Sequence, residues 1–206
     1  MRQALAGAYG PLPEAYRDIL ERTVQSNDEL QRLAETLLLV SRYESGEASR
    51  SREPVALAPM AKSVVDELEP LWRGKRLSVE LSDDSQASVR ADASELRRAL
   101  VNLIANAVTF TPAEGRVAVR VGANGARATV AVEDTGYGVP EDERPFLFER
   151  VRDNGVRRQG AGSGLGLYLV RRVAESVGGR VSYEPRAGGG SIFSLDLPSA
   201  TAPLEA

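Results

Sequence analysis

Asn102 and Asn106 stand four residues apart in a stretch free of glycine and proline. Leu96, Leu100, Leu103 and Ile104 recur there at helical spacing, which predicts a helix over 94–108 with both amides on one face. Two amide oxygens on one face can coordinate Mg²⁺ or phosphate-bound water, and they can equally be solvated helix asparagines. A second cluster is Asp134-Thr135-Gly136-Tyr137-Gly138-Val139-Pro140. A carboxylate at a strand end, followed by glycines, can accept a hydrogen bond from an exocyclic amine. Adenine offers that amine, whereas guanine offers an acceptor, which would leave a partly buried carboxylate unpaired. The glycines let backbone approach a base closely. The plainer reading is an Asx turn with glycines. A third cluster, Gly160-Ala161-Gly162-Ser163-Gly164-Leu165-Gly166-Leu167, opens a predicted helix over 164–176. Free N–H groups at such a start hold phosphate without a lysine. The spacing is neither that of a P-loop nor that of a dinucleotide fingerprint.

The elements that must carry these clusters follow from periodicity. Pro13 is well placed as the first residue of a helix. From there to Tyr43 the chain has no further glycine or proline, and Tyr16, Ile19, Thr23, Ser26, Leu30, Leu33, Leu37 and Val40 repeat in steps of three and four. That is a heptad seam, polar in its middle, on a helix longer than single domains usually contain; a helix of a dimeric bundle is the preferred reading over one packed on its own domain. Residues 47–53 form a polar linker. After it, the pattern predicts an edge strand at 54–57, a helix over 58–72, strands at 76–81 and 88–91, and then the asparagine helix. Two strands at 117–121 and 128–132 flank Asn124-Gly125, a hairpin signal. Residues 141–161 are polar and read as a mobile loop. Gly178-Gly179 closes the last helix, strands follow at 181–183 and 192–197, and a disordered tail is expected over 199–206. This order predicts an α+β domain at 54–198, two layers with helices on one face of a mixed sheet.

Composition narrows the function. The 206 residues carry 26 Lys and Arg against 29 Asp and Glu, a formal net charge of −3. No basic block dominates, so a nucleic-acid partner is not expected. There is no cysteine and no histidine. Disulfides and thiolate chemistry are excluded, and any metal must be a hard, oxygen-ligated ion such as Mg²⁺. No apolar run reaches membrane-span length and no signal peptide is evident, so a cytoplasmic chain without membrane contact of its own is expected, as a piece that could belong to a membrane-anchored protein.

The clusters occur in a fixed order: NLIANAVTFTP at 102–112, DTGYGVP at 134–140, FLFER at 146–150 and GSGLGL at 162–167. With SRYESGE followed by PVALAPMAKSVVDELEPL, this order resembles the sensor histidine kinases of two-component systems from about Leu12 to Pro198. The resemblance implies the Bergerat (GHKL) fold, with MgATP as ligand. It implies that Asp134 holds the adenine amine, with Gly136, Gly138 and Val139 bordering the base. It places Mg²⁺ on Asn106, with Asn102 close to the same phosphates and Thr109 and Phe110 at the end of that helix. Residues 141–161 become an ATP lid anchored by Phe148. Arg157, Arg158 or Gln159 then reach the terminal phosphates, and Gly162, Ser163, Gly164, Leu165, Gly166 and Leu167 cradle them.

Three departures qualify the resemblance. Relatives usually carry Lys or Arg three residues after the magnesium asparagine, where this chain has Thr109. ATPases of the same fold place a Glu four residues before that asparagine to activate water; Asn102 cannot act as a general base. The histidine that would accept the phosphoryl group is absent, so residues 1–46 resemble a dimerisation hairpin truncated just after its histidine box. The resemblance therefore implies transfer to a histidine outside this chain, homodimer formation through the 13–43 helix, and a response regulator as partner. The alternatives are a non-catalytic nucleotide-binding regulatory or scaffold module, and a GHKL ATPase.

Overall fold

The computed structural model describes residues 1, 3, 8, 10, 13–47, 51–83, 86–150 and 164–200. Helix α1, Glu14–Glu44, runs 31 residues from Pro13 and ends where Ser45 donates its N–H back to Ser41. Thr23, in the middle of the predicted seam, returns its hydroxyl to the Ile19 carbonyl at 2.7 Å, a local bond that satisfies the side chain within its own helix. Tyr16, Ile19, Leu30 and Leu37 of the seam are exposed, as is Leu38. Among the described side chains of this helix, those fully buried lie in its last turns: Leu39, Val40 and Tyr43 pack against the domain that follows.

That domain begins with β1 (Glu53–Ala56), α2 (Leu57–Glu67) and α3 (Glu69–Gly74). The single helix expected over 58–72 is thus two, broken at Leu68, because Pro70 cannot supply an N–H to the preceding turn. Strands β2 (Ser78–Asp83) and β3 (Ser88–Ala91) follow. Asp92 then caps α4, Ala93–Phe110, its carboxylate accepting from the N–H groups of Ser94 at 2.9 Å and Glu95 at 3.1 Å, the arrangement a helix start requires for its orphan donors. Strands β4 (Arg116–Asn124) and β5 (Arg127–Asp134) form the expected hairpin. Helix α5, Leu165–Ser176, and strands β6 (Arg180–Pro185) and β7 (Ser191–Pro198) complete the domain.

The main sheet has the order β2-β4-β5-β7-β6. Only the β2–β4 pair is parallel, so the sheet is mixed as expected. The strand predicted as an edge at 54–57 joins no edge of it; β1 pairs with β3 in a separate antiparallel ribbon. One face of the sheet, with Val119, Val130, Val132 and Leu195, packs under Leu96, Leu100, Leu103 and Ile104 of α4 and Leu169 and Val170 of α5, all fully buried. Each such side chain contributes roughly 2 kcal/mol through area removed from water. The other face carries charge ladders such as Arg127 with Asp196 at 2.8 Å.

The chain stays tied to the domain just past Pro198. Ser199 is buried, donating its N–H to Ala126 at 2.8 Å, and Ala200 donates to Ser88 at 2.7 Å; residues 201–206 lie outside the described set.

The docked end of α1 is held by a buried polar cluster. The Tyr43 hydroxyl donates to a carboxylate oxygen of Glu95 on α4 and lies 3.5 Å from the Ser176 hydroxyl on α5. Burial, reinforced by the Glu95 carboxylate, raises the Tyr43 pKa and keeps the phenol protonated. The second Glu95 oxygen is buried without a hydrogen-bond partner. Nearby, Arg150 grips Glu44 through both carboxylate oxygens, at 2.8 and 3.1 Å, a half-exposed pair of small energetic worth.

Candidate functional site

Asp134 is the last residue of β5, and its position is set by the strand on each side. It pairs with Val117 of β4 and Ser191 of β7, is 3% exposed, and accepts on Oδ1 from the N–H groups of Gly136 at 2.7 Å and Ser191 at 3.3 Å. Burial pushes its pKa up, partly offset by those two backbone donors.

The surrounding glycines are required by clearance. A Cβ on Gly136 would stand 2.5 Å from the Phe110 carbonyl oxygen and 2.7 Å from Asp134 Oδ1. Gly138 has φ +66°, and its Cβ would face the Gly190 carbonyl at 3.2 Å. Gly190, at φ +106°, lies so close that a Cβ would occupy the space of the Asp134 backbone carbonyl. Arg186 braces this hairpin: it donates to Glu133 at 2.7 Å and to the Gly189 carbonyl at 3.2 Å, and with Arg120 it holds the Glu133 pKa down. Gly190 and Ser191 were not among the residues expected at the site, although Gly188-Gly189-Gly190 directly before a strand was a visible signal.

Beside the turn opens a cleft of about 640 Å³. Thr109, Phe110, Tyr137, Gly138 and Val139 bound one side, with Arg144, Tyr183 and Gly190 among its other walls. The Val139 N–H donates to the Tyr183 hydroxyl at 3.3 Å, and Arg144 donates to the Val139 carbonyl at 3.1 Å. Asn102, Asn106, Asp134 and Leu165–Leu167 do not line this cleft.

The asparagines are placed by the crossing of α4 and α5. Both are half-buried. Asn102 donates from Nδ2 to the Arg98 carbonyl at 2.9 Å, and a Cβ on Gly166 would stand 2.6 Å from Asn102 Oδ1. Gly166 thus lets the two helices meet at Asn102. Gly164 takes the left-handed conformation, φ +69°, to start α5, whose first-turn N–H groups point out of the N-terminal end of the helix. Leu165 is buried and Leu167 packs against the core.

Residues 141–150 are more ordered than a mobile loop. Arg144–Phe146 form a single 3-10 turn, and Phe148 sets its ring edge against Phe193 of β7, centroids 6.2 Å apart. Phe148 therefore anchors this segment to the sheet. Arg157, Arg158, Gln159, Gly162 and Ser163 lie outside the described residues.

An adenine nucleotide fits what is present: a buried acceptor, backbone clearance beside it, and helix N–H groups. Among the described residues no group of three or more His, Cys, Asp or Glu could hold a metal. Mg²⁺ would instead take an amide oxygen here and complete its shell with phosphate and water.

Comparison with known proteins agrees. The family described as "Histidine kinase-, DNA gyrase B-, and HSP90-like ATPase" matches residues 91–201. The circadian input-output histidine kinase CikA of Synechococcus elongatus is 37% identical over 202 residues, 96% of this chain and 27% of CikA. The sensory/regulatory protein RpfC of Xanthomonas campestris is 35% identical over 194 residues, 89% of this chain and 27% of RpfC. The chain thus spans about a quarter of the length of these relatives. Among solved structures, full-length ShkA in complex with AMPPNP superimposes with a TM-score of 0.73 at 30% identity, covering 97% of this chain and 42% of that one. With its Bergerat architecture, its ordered motifs and these matches, the chain belongs to the histidine kinase-, DNA gyrase B- and HSP90-like ATPase family, and it is similar over nearly its whole length to the ATP-binding catalytic region of sensor histidine kinases.

Proposed function

We propose that this chain binds MgATP between Asp134 and the Asn102–Asn106 face and delivers the γ-phosphoryl group to a histidine on another polypeptide segment. The observation that carries the reading is Asp134, a carboxylate buried at a strand end beneath glycine backbone. In this role Asp134 accepts from the exocyclic amine, and Gly136, Gly138 and Val139 shape the wall beside the base. Asn106 holds the cation, Asn102 holds α4 against α5, and the α5 N–H groups with Gly164 and Gly166 face the phosphates. When bound, the cation neutralises charge on the transferring phosphoryl group. Arg157 and Arg158 as contacts to the terminal phosphates, and Gly162 and Ser163 in the phosphate cradle, rest on the family resemblance alone, since they lie outside the described residues.

Hydrolysis is the weaker reading: Asn102 occupies the place a water-activating carboxylate would need, with its amide committed to Arg98. We further propose that the exposed seam of α1 pairs with a second copy of the chain, and that a response regulator takes the phosphoryl group onward. No helix among the described residues is long and apolar enough to cross a membrane; a cytoplasmic location is part of the proposal, because that is where ATP is supplied.

Calorimetric titration with ATP, with and without Mg²⁺, tests the site. Saturable binding that GTP does not reproduce is expected. Transfer from radiolabelled ATP to a separate chain carrying a histidine box tests the chemistry. Tight nucleotide binding without any such transfer would leave a regulatory module and sink the kinase reading.

A further inference from the structure

We infer that Lys75 is a positioning residue for the nucleotide site, an inference that rests on the reading of that site given above. Lys75 follows α3 and is far in sequence from any of the candidate residues. Its ammonium nonetheless donates to three carbonyls at the end of α4: Val108 at 2.9 Å, Thr109 at 2.6 Å and Thr111 at 3.1 Å. An ammonium has three N–H donors, so all of them are committed and Lys75 has none to spare for a phosphate. Its role is to hold the helix end, not to touch the ligand.

The last turn of α4 contains no basic residue of its own. Its terminal carbonyls are the orphan acceptors of the helix and carry the negative end of its dipole. Lys75 supplies both the donors and the charge from across the fold, and its own carbonyl accepts from the Glu114 N–H at 3.1 Å. The loop after α3 thus clasps the whole α4–β4 corner.

What that corner carries makes the clasp functional. Thr109 and Phe110 line the cleft. The Phe110 carbonyl accepts from the Tyr137 N–H at 3.4 Å and is the atom that a Cβ on Gly136 would strike. The glycine turn after Asp134 therefore rests directly on the helix end that Lys75 fixes. A shift of a few tenths of an ångström at Phe110 must be met by the turn, and with it by the wall against which a base would lie. Neutralising the ammonium frees the corner without altering any residue of the site.

The test compares Lys75→Met and Lys75→Gln with Arg127→Met. Arg127 pairs with Asp196 at the opposite end of β5, roughly 20 Å from Asp134 by strand rise, and serves as a control for stability lost elsewhere. Binding of adenosine and of ATP is measured well below the melting temperature. Lys75→Met is expected to weaken both ligands about tenfold and in parallel, while Arg127→Met lowers the melting temperature and leaves both affinities unchanged. Should Lys75→Met not fold, Lys75→Gln, which keeps part of the hydrogen bonding, is expected to weaken both by about threefold. Unchanged affinity in a folded Lys75 variant would reduce Lys75 to an ordinary helix cap and overturn the inference. Amide chemical shifts of the ligand-free protein test it apart from nucleotide binding: Gly136 and Tyr137 should move in Lys75→Gln and not in Arg127→Met. If the wild-type chain binds no adenine ligand, the reading of the site falls, while these shifts still decide whether Lys75 sets the turn; unmoved shifts would overturn the inference.

Discussion

The two ends of the site are built by different means. At the Asp134 end, strand backbone and glycine backbone are stacked so closely that Gly136 and Gly190 have no room for a Cβ. At the Asn102 end, one helix packs over an asparagine side chain of the other, with Gly166 giving the clearance. Backbone held by a sheet on both sides cannot yield, whereas an asparagine amide can rotate away. The base end should therefore be intolerant of change and the phosphate end adaptable, the division expected where one part of a ligand must be identified and another merely held.

Four substitutions would break or sharpen that contrast. Gly190→Ala should have the largest effect, because the added methyl overlaps the Asp134 carbonyl at a φ that alanine resists. A loss of about 3 kcal/mol or more of stability is expected, seen as a lowered melting temperature with no measurable ATP binding. A Gly190→Ala protein that bound normally would show that the base end yields after all.

Asp134→Asn comes next. Oδ1 already accepts from Gly136 and Ser191, so the amide would turn its NH2, a donor, toward the amine, which should weaken ATP by about 2 kcal/mol, some thirtyfold, in calorimetry. The free protein should not be destabilised. A carboxyl whose pKa is raised by folding costs stability wherever it is ionised, and that cost disappears as pH falls through the folded pKa. The same sign predicts that wild-type ATP affinity, which needs the ionised form, is lost on acidification at a pH above the ordinary aspartate range.

Gly166→Ala should cost only about 1 kcal/mol, because Asn102 can swing aside. Its signature is a few-fold loss for ATP with adenosine binding unchanged; an equal loss for both would merge the two ends into one rigid unit. Thr109→Lys should be smallest. Thr109 is exposed at the rim of the cleft, so a new cation should strengthen ATP by no more than about 0.5–1 kcal/mol and fade with salt.

What the sequence revealed follows the same division. Asp134 with its glycines, the asparagine face of α4 and the Asn124-Gly125 hairpin are local patterns, and each element formed where it was expected. The break at Leu68 was also local, marked by Pro70, and was missed because the apolar spacing continued across it. Lys75 and Gly190 were out of reach for another reason. Their partners lie across the fold, and nothing in the residues beside them says which helix end or carbonyl they will meet. The seam of α1 shows the remaining limit. Periodicity identified a face that is apolar, but could not say that its last turns would be buried within the chain while Tyr16, Ile19, Leu30 and Leu37 stay exposed.

That partial cover divides one continuous helix into two thermodynamic regimes. Backbone amides from Leu39 onward share their protection with the sheet, since exposing them means withdrawing Tyr43 from Glu95 and opening the core. Before Leu38, Tyr16, Ile19, Leu30 and Leu37 are exposed, and the Glu35–Arg98 pair that ties this part to the domain at 3.3 Å is half-exposed and adds little resistance to opening. In a monomer, native-state hydrogen exchange should therefore step sharply near Leu38, fast on one side and as slow as the sheet on the other, with no break in the helix to mark the border.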